Sequence, residues 1–293
     1  VHTVWSDSRD GNREVYYKRS ENDGVTWGSD IRLTNDPAIS ENPSVAVSGL
    51  VVNVAWTDSR NGNKEIYYKR STDGGINWGV DTRLSSDTAR SEYPSIAVSG
   101  QVAFVVWIDR RNGNQEIYFK RSTDGGMNWG SDTQLTNDTS YSGSPTVTVS
   151  GQVVHVVWTE RRDGNDEIYY KRSTDGGSNW GTDTRLTNNA GNSWFPSVTV
   201  SGSVVHVIWS DYRDGNYEIY YKLSTDEGLS WGTDTRLTNN SAGSSVNPSI
   251  TATGSFVHVV WEENRDGNYE IYYNRSTNGG LNWGVDTRLT IST

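Results

Sequence analysis

The stretch Ser71-Thr72-Asp73-Gly74-Gly75-Ile76-Asn77-Trp78 decides the fold, because close copies of it recur five more times along the 293-residue chain. The other copies begin at Ser20, Ser122, Ser173, Ser224 and Ser276, and each ends in a tryptophan. Successive tryptophans lie 51 residues apart, as from Trp78 to Trp129, and the last step, to Trp283, is 52 residues. A fixed period of this length is typical of a repeat architecture.

Each repeat has the pattern of four short strands, which we name A to D. In the second repeat, runs rich in Val, Ile, Tyr and Trp cover residues 43–48, 51–56, 65–71 and 78–84, with Gly, Asn and Asp between them. Alternation without a helical period indicates strands. Six antiparallel meanders favour radial arrangement, so the sequence predicts an all-β, six-bladed β-propeller. A solenoid of parallel strands is the alternative, but it would not need a tight hairpin in every repeat.

We predict a single domain over residues 1–293, with repeats at about 1–42, 43–93, 94–144, 145–195, 196–247 and 248–293. Strands B, C and D occur six times, whereas strand A occurs five times. Its copies lie near Pro43, Pro94, Pro145, Pro196 and Pro248. Blade one is therefore expected to lack its innermost strand in this chain. We expect the chain to be part of a longer protein in which that strand lies upstream of Val1.

The B–C hairpins have Asp-Gly or Asn-Gly at their centres, as in Asp10-Gly11. This dipeptide predicts a two-residue type I′ turn. The resulting register places Asp7 opposite Glu14, and such a like-charge pair is destabilising unless Arg9 lies between the two carboxylates. Every repeat supplies this arginine, which we interpret as a structural ring: Arg9, Arg60, Arg111, Arg162, Arg213 and Arg265.

The repeated motif S-T-D-G-G-x-N-W-G resembles the Asp-box, or BNR repeat, of sialidase-like β-propellers. Its third position is occupied by Asn22, Asp73, Asp124, Asp175, Asp226 and Asn278, and its tryptophans are Trp27, Trp78, Trp129, Trp180, Trp231 and Trp283. We expect the side chain of the Asp or Asn to accept hydrogen bonds from the backbone amides that follow it. We also expect the glycines to adopt positive φ and the Trp to pack back into the sheet. The resemblance implies that the motif is structural and lies opposite any active site. Asp-boxes also occur in other glycosidases, polysaccharide lyases, lectin-like proteins and sorting receptors.

The composition excludes several classes of function. A net charge of −10 argues against nucleic acid or an anionic membrane surface as partner. No apolar run approaches the roughly 20 residues that span a bilayer, so we expect no membrane insertion. The absence of cysteine excludes disulfides and thiolate chemistry. Together with the resemblance, these features favour an extracellular or cell-surface location.

The sequence predicts no catalytic residue. The resemblance to sialidases would imply three arginines, a Tyr–Glu pair and an acidic Asp, with an early Arg-Ile-Pro that this chain lacks. A reaction centre is asymmetric, whereas the candidate carboxylates recur once per blade: Asp7, Asp58, Asp109, Glu160, Asp211 and Glu263. We interpret them as a structural ladder with the arginines. Six equivalent ligand sites, or a sialidase site assembled from these groups, are the alternatives.

No metal or cofactor is predicted. The four histidines, His2, His155, His206 and His258, share one position of strand B. That position holds Asn53 or Phe104 in other repeats, which indicates packing rather than metal binding. Calcium at the D-x-R-D-G-N-x-E hairpins is the alternative, but an Arg stands where a ligand oxygen is needed.

Binding residues are expected where the repeats differ, in the D–A loops and the adjoining B–C hairpins, which emerge on one face. The predicted ligand-binding residues are Arg90, Glu92, Tyr93, Tyr141, Trp194, Phe195, Tyr212 and Tyr217. Aromatic and polar groups on a rigid scaffold suit stacking against sugar faces. The alternative is that these aromatic residues plug the axial funnel or fill gaps between blades.

The sequence thus predicts a non-catalytic, secreted or cell-surface binding module that recognises a glycan or a protein through the face carrying the D–A loops. One alternative is a sialidase-like exo-glycoside hydrolase. A further alternative is a structural or adhesive repeat domain of a larger surface protein.

Overall fold

The computed structural model describes residues 1–241 and 243–291. The predicted fold class is confirmed: the chain is an all-β, six-bladed β-propeller in which five blades have four antiparallel strands and the first has three. In the described residues, no helix is long and apolar enough to cross a membrane. The chain divides into two compact units, residues 1–139 and residues 140 onward.

The first unit contains blades one to three. Blade one consists of β1 (His2–Asp7), β2 (Glu14–Arg19) and β3 (Ile31–Arg32). Blade two consists of β4 (Ser40–Ser48), β5 (Val51–Asp58), β6 (Glu65–Ser71) and β7 (Thr82–Arg83). Blade three consists of β8 (Ser91–Ser99), β9 (Val102–Asp109), β10 (Glu116–Ser122) and β11 (Thr133–Gln134).

The second unit contains blades four to six. Blade four consists of β12 (Ser142–Ser150), β13 (Val153–Glu160), β14 (Glu167–Ser173) and β15 (Thr184–Arg185). Blade five consists of β16 (Ser193–Ser201), β17 (Val204–Asp211), β18 (Glu218–Ser224) and β19 (Thr235–Arg236). Blade six consists of β20 (Ser245–Thr253), β21 (Phe256–Glu263), β22 (Glu270–Ser276) and β23 (Thr287–Arg288). Each sheet is a meander of neighbours in chain order.

Strand A begins three residues earlier than the sequence suggests and has a β-bulge at its proline. In β4 the pairing starts at Ser40, opposite Asp58, and its register shifts between Glu41 and Ser44. Proline cannot donate to the ladder, which confines it to such irregular positions. The residue before each proline has left-handed φ: Asn42 (53°), Tyr93 (56°), Ser144 (49°), Phe195 (54°) and Asn247 (53°). We call these five the bulge residues.

The hydrophobic core lies between successive blades. Val157 and Tyr170 of blade four pack with Val205, Val207 and Trp209 of blade five, and all five side chains are buried. Equivalent clusters join blades one and two, two and three, and five and six. Large aromatic residues supply much of this buried area, so few residues suffice for each layer.

The C–D turn is closed as the sequence predicts, and its tryptophan also contacts the preceding blade. The Ser71 Oγ accepts the Gly75 N–H at 2.8 Å, and the Asp73 carboxylate accepts the Asn77 N–H at 2.9 Å. The Trp78 ring packs against a core cluster that contains residues of its own blade and of blade one. It lies edge-on against Tyr17 of the preceding blade, with centroids 4.9 Å apart and planes at 75°. The turn therefore joins two blades.

The second glycine of this turn, Gly75, is needed because the same tyrosine lies against it. A Cβ atom on Gly75 would lie 2.0 Å from the Tyr17 hydroxyl oxygen, and Gly75 has a φ of +85°. Only a residue without a side chain lets the tyrosine lie this close to the backbone.

The B–C hairpins keep the predicted register but not the predicted turn type. Asp7 pairs with Glu14, as expected. Gly11 has a φ of 108°, whereas Asp10 is not left-handed, so the turn is not type I′. Instead the Gly11 N–H donates to the Ser8 carbonyl at 3.0 Å, which moves the turn towards strand B.

Replacing Gly75 with alanine tests the contact between the turn and the preceding blade. The control is Gly62→Ala, because Gly62 also has positive φ (+93°) but a Cβ atom there would meet nothing within 4 Å. Left-handed backbone alone costs alanine about 1–2 kcal/mol, and forced overpacking adds about 1–3 kcal/mol. We expect Gly75→Ala to lower the thermal midpoint clearly more than Gly62→Ala. Equal losses would mean that the Tyr17 contact contributes nothing beyond backbone strain.

Acid should weaken the fold through two buried histidines. The Nδ1 atoms of His155 and His206 lie 2.8 and 2.7 Å from the hydroxyls of Tyr170 and Tyr221. Burial lowers the pKa of both histidines to about 4, with a smaller effect of Arg172 on His155. The unfolded chain binds these protons below about pH 6.5, but the folded chain does not until about pH 4. The free energy of unfolding therefore decreases as the pH falls through this window.

The matched variant is His155→Asn with His206→Asn, since Asn53 occupies the same position of β5 and accepts the Tyr68 hydroxyl. Each histidine accounts for at most about 1.4 kcal/mol per pH unit in the window. Thermal midpoints measured from pH 7 to pH 4 should fall less in the double variant than in the wild type. Parallel curves would contradict the assignment.

Candidate functional site

The D–A loops and B–C hairpins are joined on one face, as predicted. The Asn63 side-chain amide of one hairpin donates to the carbonyls of Asp87 and Ala89 in the following loop, at 2.9 and 2.7 Å. The Ser91 N–H then donates to the Lys64 carbonyl at 2.9 Å. These bonds fix the start of strand A of blade three beside the hairpin of blade two, so residues there are held on an ordered surface.

The carboxylates at the ends of strand B are engaged by several donors. Asp58 is buried and accepts hydrogen bonds from Trp56 Nε1 (2.8 Å), Ser40 Oγ (3.0 Å) and Arg60 Nη2 (2.6 Å). Burial alone would raise the pKa of Asp58, but the bonds from Arg60 and Trp56 outweigh it and lower the pKa. The Arg60 guanidinium also lies 4.5 Å from the centre of the Tyr67 ring. The same Arg-on-Tyr contact occurs in all six blades.

Arg9 does not lie between Asp7 and Glu14, contrary to the expectation from the sequence. Arg9 binds Asp7 and, at 2.7 Å, Asp30. Glu14 is buried and has its own cation, because Arg32 Nη2 donates to it at 2.7 Å. Each member of the like-charge pair is thus neutralised by a different arginine.

The described residues contain no group of three or more His, Cys, Asp or Glu side chains that could hold a metal ion. At the hairpin where calcium was the alternative, the Asp10 carboxylate accepts the Tyr16 hydroxyl and an Arg32 N–H.

In the first unit, the predicted residue Glu92 belongs to a chain of alternating charges. Lys64 Nζ lies 2.9 Å from Glu41 and 2.8 Å from Glu92. Arg13 pairs with Glu41 at 2.8 Å, and Arg110 lies 3.6 Å from Glu92. Glu92 is only 6% exposed. The structure therefore places this carboxylate within a network of ion pairs.

The other two predicted residues of the first unit lie on the surface beside Glu92. Arg90 is exposed, and its carbonyl accepts the Arg110 N–H at 3.1 Å. Tyr93 is a bulge residue with a half-exposed side chain, and its N–H donates to Thr57 Oγ1 at 3.1 Å.

In the second unit, four predicted residues form one aromatic cluster. Trp194 stacks on Tyr217, with centroids 5.5 Å apart and planes at 28°, and it contacts Phe195 edge-on at 6.3 Å. Tyr212 contacts Tyr217 edge-on at 5.0 Å. Burial, with smaller effects of Tyr212 and Asp166, raises the pKa of Tyr217, which keeps its hydroxyl protonated. Phe195 and Tyr212 remain nearly half exposed.

The cluster adjoins a cavity of about 220 Å³ lined by Tyr141, Ser144, Thr159, Trp194 and Phe195. Ser144 and Phe195 are both bulge residues. Sequence reasoning identified the three aromatic residues and missed Ser144 and Thr159. The available signal was the variation between repeats, because the position of Thr159 holds Ser6, Thr57, Ile108, Ser210 and Glu262 in other blades.

The two units differ in character at equivalent positions of the repeat. Trp194 occupies the position of Glu92, and Tyr217 occupies the position of Lys64. The first unit therefore presents ion pairs where the second presents stacked rings. Such a difference on an otherwise regular scaffold marks the second unit as the better candidate for a ligand site.

Solved six-bladed β-propellers, among them an arabinanase and a sialidase, share this fold. No known protein family matches the sequence, and no curated protein matches it. A solved protein of unknown function from Dyadobacter fermentans is similar, with a TM-score of 0.68 at 16% identity over 89% of this chain and 82% of that one.

Two solved enzymes share the fold at lower similarity. For an α-L-arabinanase of Penicillium chrysogenum in complex with arabinobiose, the TM-score is 0.56 at 15% identity, over 78% of this chain and 80% of that one. For the NanB sialidase of Streptococcus pneumoniae, the TM-score is 0.56 at 11% identity, over 89% of this chain and 62% of that one. At such identities, similarity shows the fold alone.

The ion-pair chain of the first unit predicts different costs for two similar substitutions. Lys64→Met leaves Glu41 and the buried Glu92 without their shared cation, and a charge deprived of its partner costs about 1–3 kcal/mol. Arg13→Met removes an exposed partner of Glu41 alone, which is worth about 0–1 kcal/mol. Urea unfolding should therefore show a larger loss for Lys64→Met. A loss for Arg13→Met that equals or exceeds it would contradict the description of the chain.

Proposed function

We propose that the protein is a non-catalytic carbohydrate-binding module and that the aromatic cavity of the second unit is its site. The observation that carries the proposal is the stacked cluster of Trp194, Tyr217 and Tyr212 beside the cavity lined by Tyr141 and Phe195. Concave, mostly apolar surfaces with a few polar groups are typical of small-molecule sites. The apolar faces of sugar rings stack on aromatic side chains. In this proposal the C–D turns are Asp-boxes, and the module belongs to a secreted or cell-surface protein.

The size of the cavity limits what enters it. Its volume of about 220 Å³ lies below the roughly 300–1,000 Å³ of sites for drug-sized ligands. One sugar ring therefore suits the cavity better than an extended chain. Tyr212 and Tyr217, which continue from Trp194, offer a surface for the next unit of an oligosaccharide.

The alternative is an exo-acting glycoside hydrolase, since the solved arabinanase and sialidase share the fold. Such chemistry uses one carboxylic acid that is protonated near neutral pH and one carboxylate. Glu160, which follows Thr159, accepts hydrogen bonds from Ser142 (2.7 Å) and Trp158 (3.1 Å). Burial would raise the pKa of Asp211, but the bonds from Arg213 outweigh it and lower the pKa. The lowered pKa of Asp211 keeps this group ionised, which favours binding without hydrolysis.

Removing the Trp194 ring tests the proposed site. The probes are cellotriose, xylotriose, β-1,4-galactotriose and α-1,5-arabinobiose, with binding measured by saturation-transfer NMR and calorimetry. We expect at least one probe to bind and Trp194→Ala to weaken its affinity at least about tenfold, or about 1.4 kcal/mol. The matched control is Tyr93→Ala, which removes a half-exposed ring from a bulge position of the first unit.

The result that would contradict the site is unchanged affinity in Trp194→Ala or an equal loss in Tyr93→Ala. Hydrolysis of a fluorogenic glycoside by the wild type, abolished in Glu160→Gln, would establish the enzyme instead.

A further inference from the structure

We propose that the cavity selects a neutral sugar ring, which it recognises through the hydroxyl of Thr159, and that it excludes acidic sugars. This inference rests on the proposed carbohydrate-binding function and names the class of ligand for that same site.

Thr159 differs from its counterparts in how its hydroxyl is used. At the same position of strand B in other blades, Thr57 Oγ1 accepts the Tyr93 N–H at 3.1 Å, and Ser210 Oγ accepts the Asn247 N–H at 3.2 Å. In both cases the donor is the bulge residue of the following blade. Thr159 is only 2% exposed, yet among the described residues its Oγ1 has no hydrogen-bond partner.

A buried hydroxyl without a partner needs an explanation, because nearly all buried polar groups are hydrogen-bonded. Thr159 lines the cavity together with Ser144 and the three aromatic side chains. A hydroxyl group of a sugar in the cavity would pair with Thr159 Oγ1. The ring that carries it would at the same time contact Trp194 and Phe195.

The charges around the cavity favour an uncharged ligand. None of the five described residues that line it is charged. On the neighbouring hairpins, Arg161 pairs with Asp166 at 3.3 Å, Arg162 with Asp183 at 2.9 Å, and Arg213 with Asp211 at 2.7 Å.

A carboxylate or sulfate that entered the cavity would lose part of its water without gaining a cation, which is unfavourable. A neutral ring has no such cost. The difference predicts discrimination between neutral and acidic sugars that otherwise have the same shape.

Thr159→Val provides a test in which a ligand role and a structural role give opposite results. The substitution keeps the shape of the side chain and removes the hydroxyl. Because that hydroxyl makes no bond within the described part of the protein, we expect an unchanged or higher thermal midpoint together with an affinity at least about tenfold lower. Thr159→Ser, which keeps the hydroxyl, should retain binding. Thr57→Val is the matched control, and it should lower the thermal midpoint without changing affinity, because its hydroxyl holds the Tyr93 N–H.

The binding experiment uses matched neutral and acidic probes on the whole chain: galactose with galacturonic acid, and α-1,4-galactobiose with digalacturonate, alongside the four neutral probes named above. Calorimetry and saturation-transfer NMR give the affinities at moderate salt. We expect at least one neutral probe to bind, each acidic probe to bind at least about tenfold more weakly than its neutral match, and Trp194→Ala to weaken all binding at least about tenfold.

The outcomes separate this inference from the proposed function. Equal or tighter binding of the acidic probes, still dependent on Trp194, would overturn the neutral selectivity and leave the carbohydrate-binding function in place. Wild-type affinity in Thr159→Val would overturn the role of its hydroxyl. If no probe of either class binds, both the function and the selectivity are overturned.

Discussion

The contact between a strand C tyrosine and the C–D turn of the following blade is the constraint on which the structure depends. Tyr17 lies over Gly75 and against the edge of Trp78, so that the turn of blade two covers the side chain of blade one. The same three-residue contact recurs within the units as Tyr68 with Gly126 and Trp129, Tyr170 with Gly228 and Trp231, and Tyr221 with Gly280 and Trp283. The motif therefore does two things at once: its Ser and Asp close a turn, and its Gly and Trp position the neighbouring blade.

Most of the polar side chains that recur in every repeat are bonded to one another. The buried carboxylates, the arginines and the hydroxyls of Ser71 and its counterparts are already hydrogen-bonded within the scaffold. Differences between the blades in what they offer a ligand therefore depend on the positions where the repeats differ. In the first unit those positions hold compensating charges, as in Glu92 with Lys64. In the second they hold Trp194 and Tyr217, whose faces remain able to stack.

The repeat pattern alone predicts the fold class, the number of blades, the three-stranded first blade and the hairpin register, because all of these follow from spacing. It does not predict contacts between blades, since one repeat read by itself suggests that Trp78 packs into its own sheet. The prediction of a type I′ turn was wrong because Asp-Gly also suits a turn that begins at Ser8 and places only the glycine at left-handed φ.

The candidate site is only partly visible in the sequence. Trp194 stands out as the tryptophan outside the two repeated positions. Glu92 occupies the same position as Trp194, yet burial beside Lys64 gives it a different environment. Thr159 could not be recognised, because the hydroxyl at its position is an ordinary backbone acceptor in two other blades. Only the missing bond distinguishes it.

The bulges explain how a regular scaffold forms one irregular cavity. Five residues without glycine's freedom are held at left-handed φ, which costs of order 1–3 kcal/mol each, and the ladder that resumes on both sides keeps them there. Blades two to six thus repeat the same strained backbone, while the side chain at the bulge varies from Asn42 to Phe195. In the second unit a small residue, Ser144, and a large one, Phe195, line the same space. The cavity forms there because the small side chain of Ser144 leaves space at one bulge and the ring of Phe195, at the next bulge, forms a wall of that space.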